Sequence, residues 1–205
     1  MRGLIGKKIG MTRVFDSKGR AIPVTVLEAG PCQVTQVKTV EKDGYDSVQV
    51  GFVDIKEKHL TKPLIGHFES NSVSPKRILA EFNKVPSFDY RAGQVFNVGL
   101  FKEGDYVTVS GKSKGHGFSG TVKKYSFSQQ RKTHGQGDTH RHVGSIGAAS
   151  YPSRVFPGKK MPSRYGNKKV SIKSLEIIKV DKENNQLLIK GSVPGSTNGI
   201  LMITR

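Results

Sequence analysis

"SLEIIKVDKENNQLLIKGSVPGSTNGILMIT", residues 174–204, sets the fold class. Two runs rich in branched apolar residues, "SLEIIKV" (174–180) and "LLIKGSV" (187–193), flank the polar "DKENNQ" (181–186). A third run, "ILMIT" (200–204), follows Asn198-Gly199, a pair suited to a tight reversal. Short apolar runs cut this often by turn residues specify antiparallel strands.

The same grammar recurs upstream. Val48, Val50 and Phe52 alternate with Ser47, Gln49 and Gly51, the period of a half-buried strand. Before them, "QVTQVKTV" (33–40) and the hairpin signal Asp43-Gly44 predict a paired strand. "MTRVF" (11–15) and "RAIPVTVLEA" (20–29) flank the turn "DSKG" (16–19), where Gly19 can take positive φ. Pro23 has no N–H to give a ladder, which predicts an edge or bulge position. Strands at this spacing imply a small antiparallel barrel or sandwich, so the chain is mainly β. One helix is expected, with Ser74 as N-cap, Pro75 in its first turn and Ile78, Leu79 and Phe82 on one face. It would sit in a subdomain of about residues 59–99 hung from the β body.

Two further strand candidates, "YVTVSG" (106–111) and "KVSIKSLEIIKV" (169–180), bracket a segment of different character. Residues 111–173 hold fourteen lysines and arginines against one acid, Asp138, and so carry thirteen of the net +18 of the 205-residue chain. Within it, "THGQGDTHRHVGSIGAASYPSRVFPGKKMPSRYGN" (133–167) has neither the alternation of a strand nor the periodicity of a helix. Such a stretch is too long for an ordinary connection, and long structureless loops are functional or disordered. Phe118, Tyr125, Phe127, Ile146, Tyr151, Val155, Phe156, Met161 and Tyr165 are spread among the charges, which a purely solvated cationic tail would not need. The expected division is a body of residues 1–110 and 170–205, with 111–169 as a basic extension that orders against a partner.

Several chemistries fail on the residues. His134, His140 and His142 with Asp138 match no zinc spacing and stand among cations, so no metal site is expected. "GKS" (111–113) ends like a phosphate-binding P-loop, but Tyr106 occupies the position of the required leading glycine. A hydrolase needs an orienting acid beside its base, and paired carboxylates are missing from the insertion. No catalysis and no cofactor are expected. Cys32 is alone, so no intrachain disulfide forms and a reducing compartment is expected. No run reaches the roughly 18 apolar residues of a transmembrane helix. The lysines in "MRGLIGKKIGMTRVFD" (1–16) stand where a signal peptide needs apolar residues, so secretion is not expected.

A polyanion fits the remaining facts. Lysine and arginine neutralise phosphates, glycine lets backbone N–H groups approach them, and aromatic rings or histidine stack on unpaired bases. The candidate contacts are Lys112, Lys114, Lys123, Lys124, Arg131, Lys132, His134, His140, Arg141, His142, Arg154, Lys159, Lys160, Arg164, Lys168 and Lys169. No helix-turn-helix, zinc finger or basic zipper is present to enter a DNA major groove, and an irregular basic extension suits folded RNA, which is read by shape. A nucleoid-type DNA binder and a metal- or RNA-processing enzyme stay as alternatives.

"LIGKKIGMTRVF" (4–15), "GHGFSGTVKK" (115–124), "THGQGDTHRHVGSIG" (133–147), "VFPGKKM" (155–161) with "YGN" (165–167), and "LLIKGSVPG" (187–195) stand in the order of a known family. The chain resembles the bacterial form of the L-three family of large-subunit ribosomal proteins over nearly its whole length. The resemblance implies a translation-factor-like β-barrel with its extension threading through large-subunit rRNA toward the peptidyl-transferase centre. It also implies a structural, non-enzymatic, cytoplasmic protein that binds rRNA early and helps nucleate assembly, beside the L-fourteen and L-nineteen proteins and not as a homo-oligomer. In many bacterial relatives a methylated glutamine follows the "GSIG" block. Here that position is Ala148, which has no amide to modify.

Overall fold

The alternating runs at the two ends of the chain close on one another as a barrel in the computed structural model, which describes residues 3–85 and 88–205. In chain order the strands are β1 (Gly3–Phe15), β2 (Ala21–Ala29), β3 (Cys32–Lys38), β4 (Ser47–Asp54), β5 (Lys76–Asn83), β6 (Val95–Phe96), β7 (Tyr106–Lys112), β8 (Gly117–Ser119), β9 (Ser163–Tyr165), β10 (Lys169–Asp181), β11 (Gln186–Lys190) and β12 (Ile200–Thr204). Three short α-helices are α1 (Val40–Asp43), α2 (Lys62–Ser70) and α3 (Thr121–Tyr125). The chain divides into two compact units, residues 1–113 with 169–205, and residues 114–168.

In the first unit the barrel runs β1-β12-β7-β10-β11-β2, each neighbour antiparallel to the next. Its two longest strands each serve two neighbours by bending. β1 pairs with β12 through Gly3–Lys7 and with β2 through Gly6–Phe15, with its register broken between Lys8 and Gly10. β10 pairs with β7 through Lys169–Glu176 and with β11 through Ile177–Asp181, with breaks at Ile172/Leu175 and Ile177/Lys179. Bulges of this kind sharpen the local twist and let a small sheet close. Alternation fills the interior: Val107 and Val109, Leu187 and Ile189, and Leu201 and Ile203 are buried, while neighbours such as Thr108, Leu188 and Met202 are not. Each such Leu or Ile removed from water contributes about 1.5–3 kcal/mol.

A second sheet, β5-β4-β3-β6, packs into the same core, which joins Val34, Val48, Val50 and Phe82 to Leu4, Leu27 and Ile203. The turn between β1 and β2 is the one expected: Gly19, at φ +73°, donates to the Asp16 carbonyl at 2.8 Å, and the Asp16 carboxylate accepts from the Ser17 N–H at 2.8 Å. Pro23 pairs with Arg13 of β1 just beyond the β11 ladder, which stops at Val24, so its missing N–H costs nothing there. The β3–β4 connection differs from a two-residue reversal. Asp43-Gly44 ends α1, with Gly44 in the left-handed region and its N–H on the Val40 carbonyl at 3.0 Å.

The helix expected from Ser74 onward is a correction. Residues 76–83 form β5, paired with β4 from Ser47↔Asn83 to Asp54↔Lys76. Ile78, Ala80 and Phe82 also fit a period of two, and the unpaired edge of β4 selected that period over the helical one. The nearby helix is α2, which begins after Thr61 with Pro63 in its first turn and buries Phe68.

Lys8 is a buried cation in the barrel wall. Its ammonium donates to the carbonyls of Val193 (3.1 Å) and Gly195 (3.4 Å), partners that a buried charge requires. The contact ties the loop after β11 to β1.

Candidate nucleic-acid interface

Lys112 closes β7 and Lys169 opens β10, and the two face each other in register. Like charges directly opposite on a ladder repel, a cost that an anion lying across them offsets. Residues 114–168 follow from the end of this strand pair.

The second unit carries little regular structure. β8 and β9 pair Gly117↔Tyr165, Phe118↔Arg164 and Ser119↔Ser163, and the His116 ring stacks on Tyr165 at 5.0 Å. At its base the Asn167 N–H donates to the Lys114 carbonyl at 3.4 Å. Gly166, at φ +72°, lies so close to that carbonyl that an added methyl group would collide with it, so only glycine fits. Farther along, the Gln130 N–H donates to the His140 carbonyl at 3.1 Å, and the Gln136 amide donates to the side chains of Gln130 (2.8 Å) and Thr139. These bonds hold the single helical turn Asp138–Arg141. Residues 143–162 turn on local bonds, such as Ser145 Oγ to the Gly147 carbonyl at 3.0 Å.

Of the sixteen candidate contacts, fourteen are exposed, while Lys124 and His140 are half-buried. The unit as a whole holds eleven lysines and arginines against Asp138. Three of the aromatic side chains are exposed too, Tyr151 at 90%, Phe118 at 79% and Phe156, and Ile146 is open as well, while Tyr125, Phe127 and Tyr165 are half-buried. The Arg154 guanidinium lies 5.7 Å from the Phe156 ring centre. Rings left in water beside cations match a surface that stacks on bases and holds phosphates. A groove of about 650 Å³ is lined by Arg141, His142, Thr121, Thr139 and Gln130. Among the described residues His134, His140, His142 and Asp138 do not gather into a group that could hold a metal ion.

Comparison with known proteins decides the family. Residues 87–187 match the family model of ribosomal protein L3. The large ribosomal subunit protein uL3 of Petrotoga mobilis is 48% identical over 203 residues, which is 99% of this chain and 94% of that protein. The chain belongs to the ribosomal protein L3 family. With that membership it is a ribosomal protein of the large subunit, a structural and not an enzymatic kind of protein. It associates with rRNA and other ribosomal proteins in the cytoplasmic ribosome.

The sequence blocks that carried the resemblance fall in two places. "LIGKKIGMTRVF" builds β1 and "LLIKGSVPG" builds β11 with the loop that Lys8 holds. The remaining blocks, from "GHGFSGTVKK" to "YGN", all lie in the second unit, where Ala148 is exposed. Sequence reasoning did not single out Ser163, which accepts a hydrogen bond from the Lys124 ammonium, or the grouping of lysines around Tyr125. The residues lie more than thirty positions apart, and only the β8–β9 pairing brings their segments together.

Proposed function

We propose that this chain is a primary rRNA-binding protein that helps nucleate assembly of the large subunit. Its residues 111–169 act as an extension penetrating rRNA toward the peptidyl-transferase centre, with the sixteen candidate contacts facing RNA. The observation that carries this reading is the second unit itself, with eleven exposed or half-exposed lysines and arginines, one acid, and aromatic rings left in water. A segment with that surface completes its packing against a polyanion. Family membership supports the finer placement beside L-fourteen and L-nineteen, as a single copy and without a small-molecule substrate, metal or membrane.

The test is retention on large subunits. The purified chain, added to subunits lacking it, is expected to co-sediment and to stay bound through a high-salt wash, and its direct binding to large-subunit rRNA is expected to weaken by about 0.7–0.9 log units per phosphate neutralised for each log unit of salt. Release in the wash, or binding to duplex DNA as tight as to the rRNA, would overturn the reading.

A further inference from the structure

Tyr125, the last residue of α3, has two lysine ammonium groups over its ring. The Lys124 ammonium lies 4.9 Å from its ring centre and that of Lys160 lies 5.7 Å from it. Lys124 also donates to Ser163 Oγ, which itself donates to the Met161 carbonyl at 3.3 Å, so the Lys124 ammonium is held in place and not merely solvated. A hydrogen bond from Lys124, helped by Ser163 and by the charges of Lys124 and Lys168, holds the phenol below its ordinary range. Two lysines, one from α3 and one from the segment before β9, therefore concentrate positive potential at one aromatic ring. Asp138 is the only acid in the whole of residues 111–173. Like charges brought together in this way repel unless an anion sits among them. Lysine ammonium groups bind phosphate as point charges, and a tyrosine hydroxyl adds a neutral donor.

We propose that Lys124 and Lys160 around the Tyr125 ring form a clamp for the phosphodiester backbone of an RNA strand, gripping one phosphate or two neighbouring ones. The clamp rests on the rRNA-binding reading above and adds a discrete site to it. Lys124 and Lys160 converge on the same ring and so grip the same stretch of strand, unlike a diffuse field in which each lysine meets a different phosphate. The Tyr125 hydroxyl orients the grip.

Phosphate-ethylation interference, with the full chain bound to a large-subunit rRNA transcript, tests the clamp. Lys124→Gln and Lys160→Gln are each expected to erase interference at the same one or two adjacent phosphates, and each to lower the salt slope by about one. Tyr125→Phe, which keeps the ring, is expected to weaken interference at those same positions only. Lys132→Gln serves as the comparison and is expected to alter other positions. If Lys124→Gln disturbs the fold, Lys160→Gln and Tyr125→Phe still have to agree. Changes at separate positions, an unchanged map, or an even fading across all positions would overturn the clamp while leaving rRNA binding standing. A wild-type chain with no discrete interference positions would overturn both.

Discussion

Glu81 shows how a carboxylate of the first unit is engaged. Its two oxygens accept from Lys38 Nζ (2.7 Å), the Tyr45 hydroxyl (2.8 Å) and Ser47 Oγ (3.3 Å), and Lys38 Nζ also lies 2.6 Å from the Tyr45 oxygen. The Lys38 bond, followed by those of Tyr45 and Ser47, outweighs burial and holds the Glu81 carboxyl below its ordinary 4.5, while Glu81 in turn raises Lys38. A carboxyl whose folded pKa is depressed adds stability that is complete above the unfolded pKa and is lost as pH falls through the folded one. Glu81→Gln should therefore be less stable than the parent at neutral pH, with the gap narrowing as pH drops below 4.5. Urea unfolding from pH 7 down to about 3 measures this, and a gap constant with pH would show that the carboxylate charge plays no part. By contrast, the cations of residues 114–168 have Asp138 as the only acid within their own unit, which leaves their charge for a partner.

At the level of strands, glycine separates close packing from idle space within β1. A methyl group added at Gly6 would stand 2.9 Å from the Glu28 carbonyl oxygen and 3.1 Å from Ile203 Cδ1, where β1 meets both β2 and β12. One added at Gly10, past the bulge, meets nothing within 4 Å. Gly6→Ala is expected to destabilise by about 1–3 kcal/mol, as overpacked cores do, through a shift in urea midpoint with the slope unchanged. Gly10→Ala should be neutral or slightly stabilising, because it only narrows the unfolded ensemble. Equal effects at the two positions would contradict the barrel register. The strands were legible in the sequence wherever a turn residue bounded an alternating run, as at Gly19 and Asn198. β5 was not, because Ile78, Leu79 and Phe82 satisfy a helical face as well as Ile78, Ala80 and Phe82 satisfy a strand. Only the pairing offered by β4, distant in sequence, resolves that tie. The basic segment was legible as a charge imbalance, but the convergence of Lys124, Lys160 and Ser163 at Tyr125 was not, since it depends on β8 meeting β9.

For the molecule as a whole, stability and RNA binding should be separable by a single cut. β7 and β10 are antiparallel neighbours whose register ends at Lys112↔Lys169, so the barrel already contains both arms of a hairpin and the second unit is joined to their open end. Replacing Ser113–Lys168 by Asn-Gly supplies the two-residue turn that matches the twist of such a pair. The barrel core, from Leu4 to Ile203, is made by the first unit, and Lys8 still finds the Val193 and Gly195 carbonyls. The shortened chain loses eleven of its 34 lysines and arginines and one of its 16 acids, so its net charge falls from +18 to +8. It is expected to fold, to unfold cooperatively, and to keep the acid-side behaviour of Glu81. The log-log salt slope for rRNA binding should drop steeply, by about 0.7–0.9 for each phosphate the second unit had neutralised. A shortened chain that cannot fold would mean the barrel depends on the second unit. A folded one with an undiminished slope would place the main phosphate contacts on the barrel, and the exposed charge of residues 114–168 would then need another explanation.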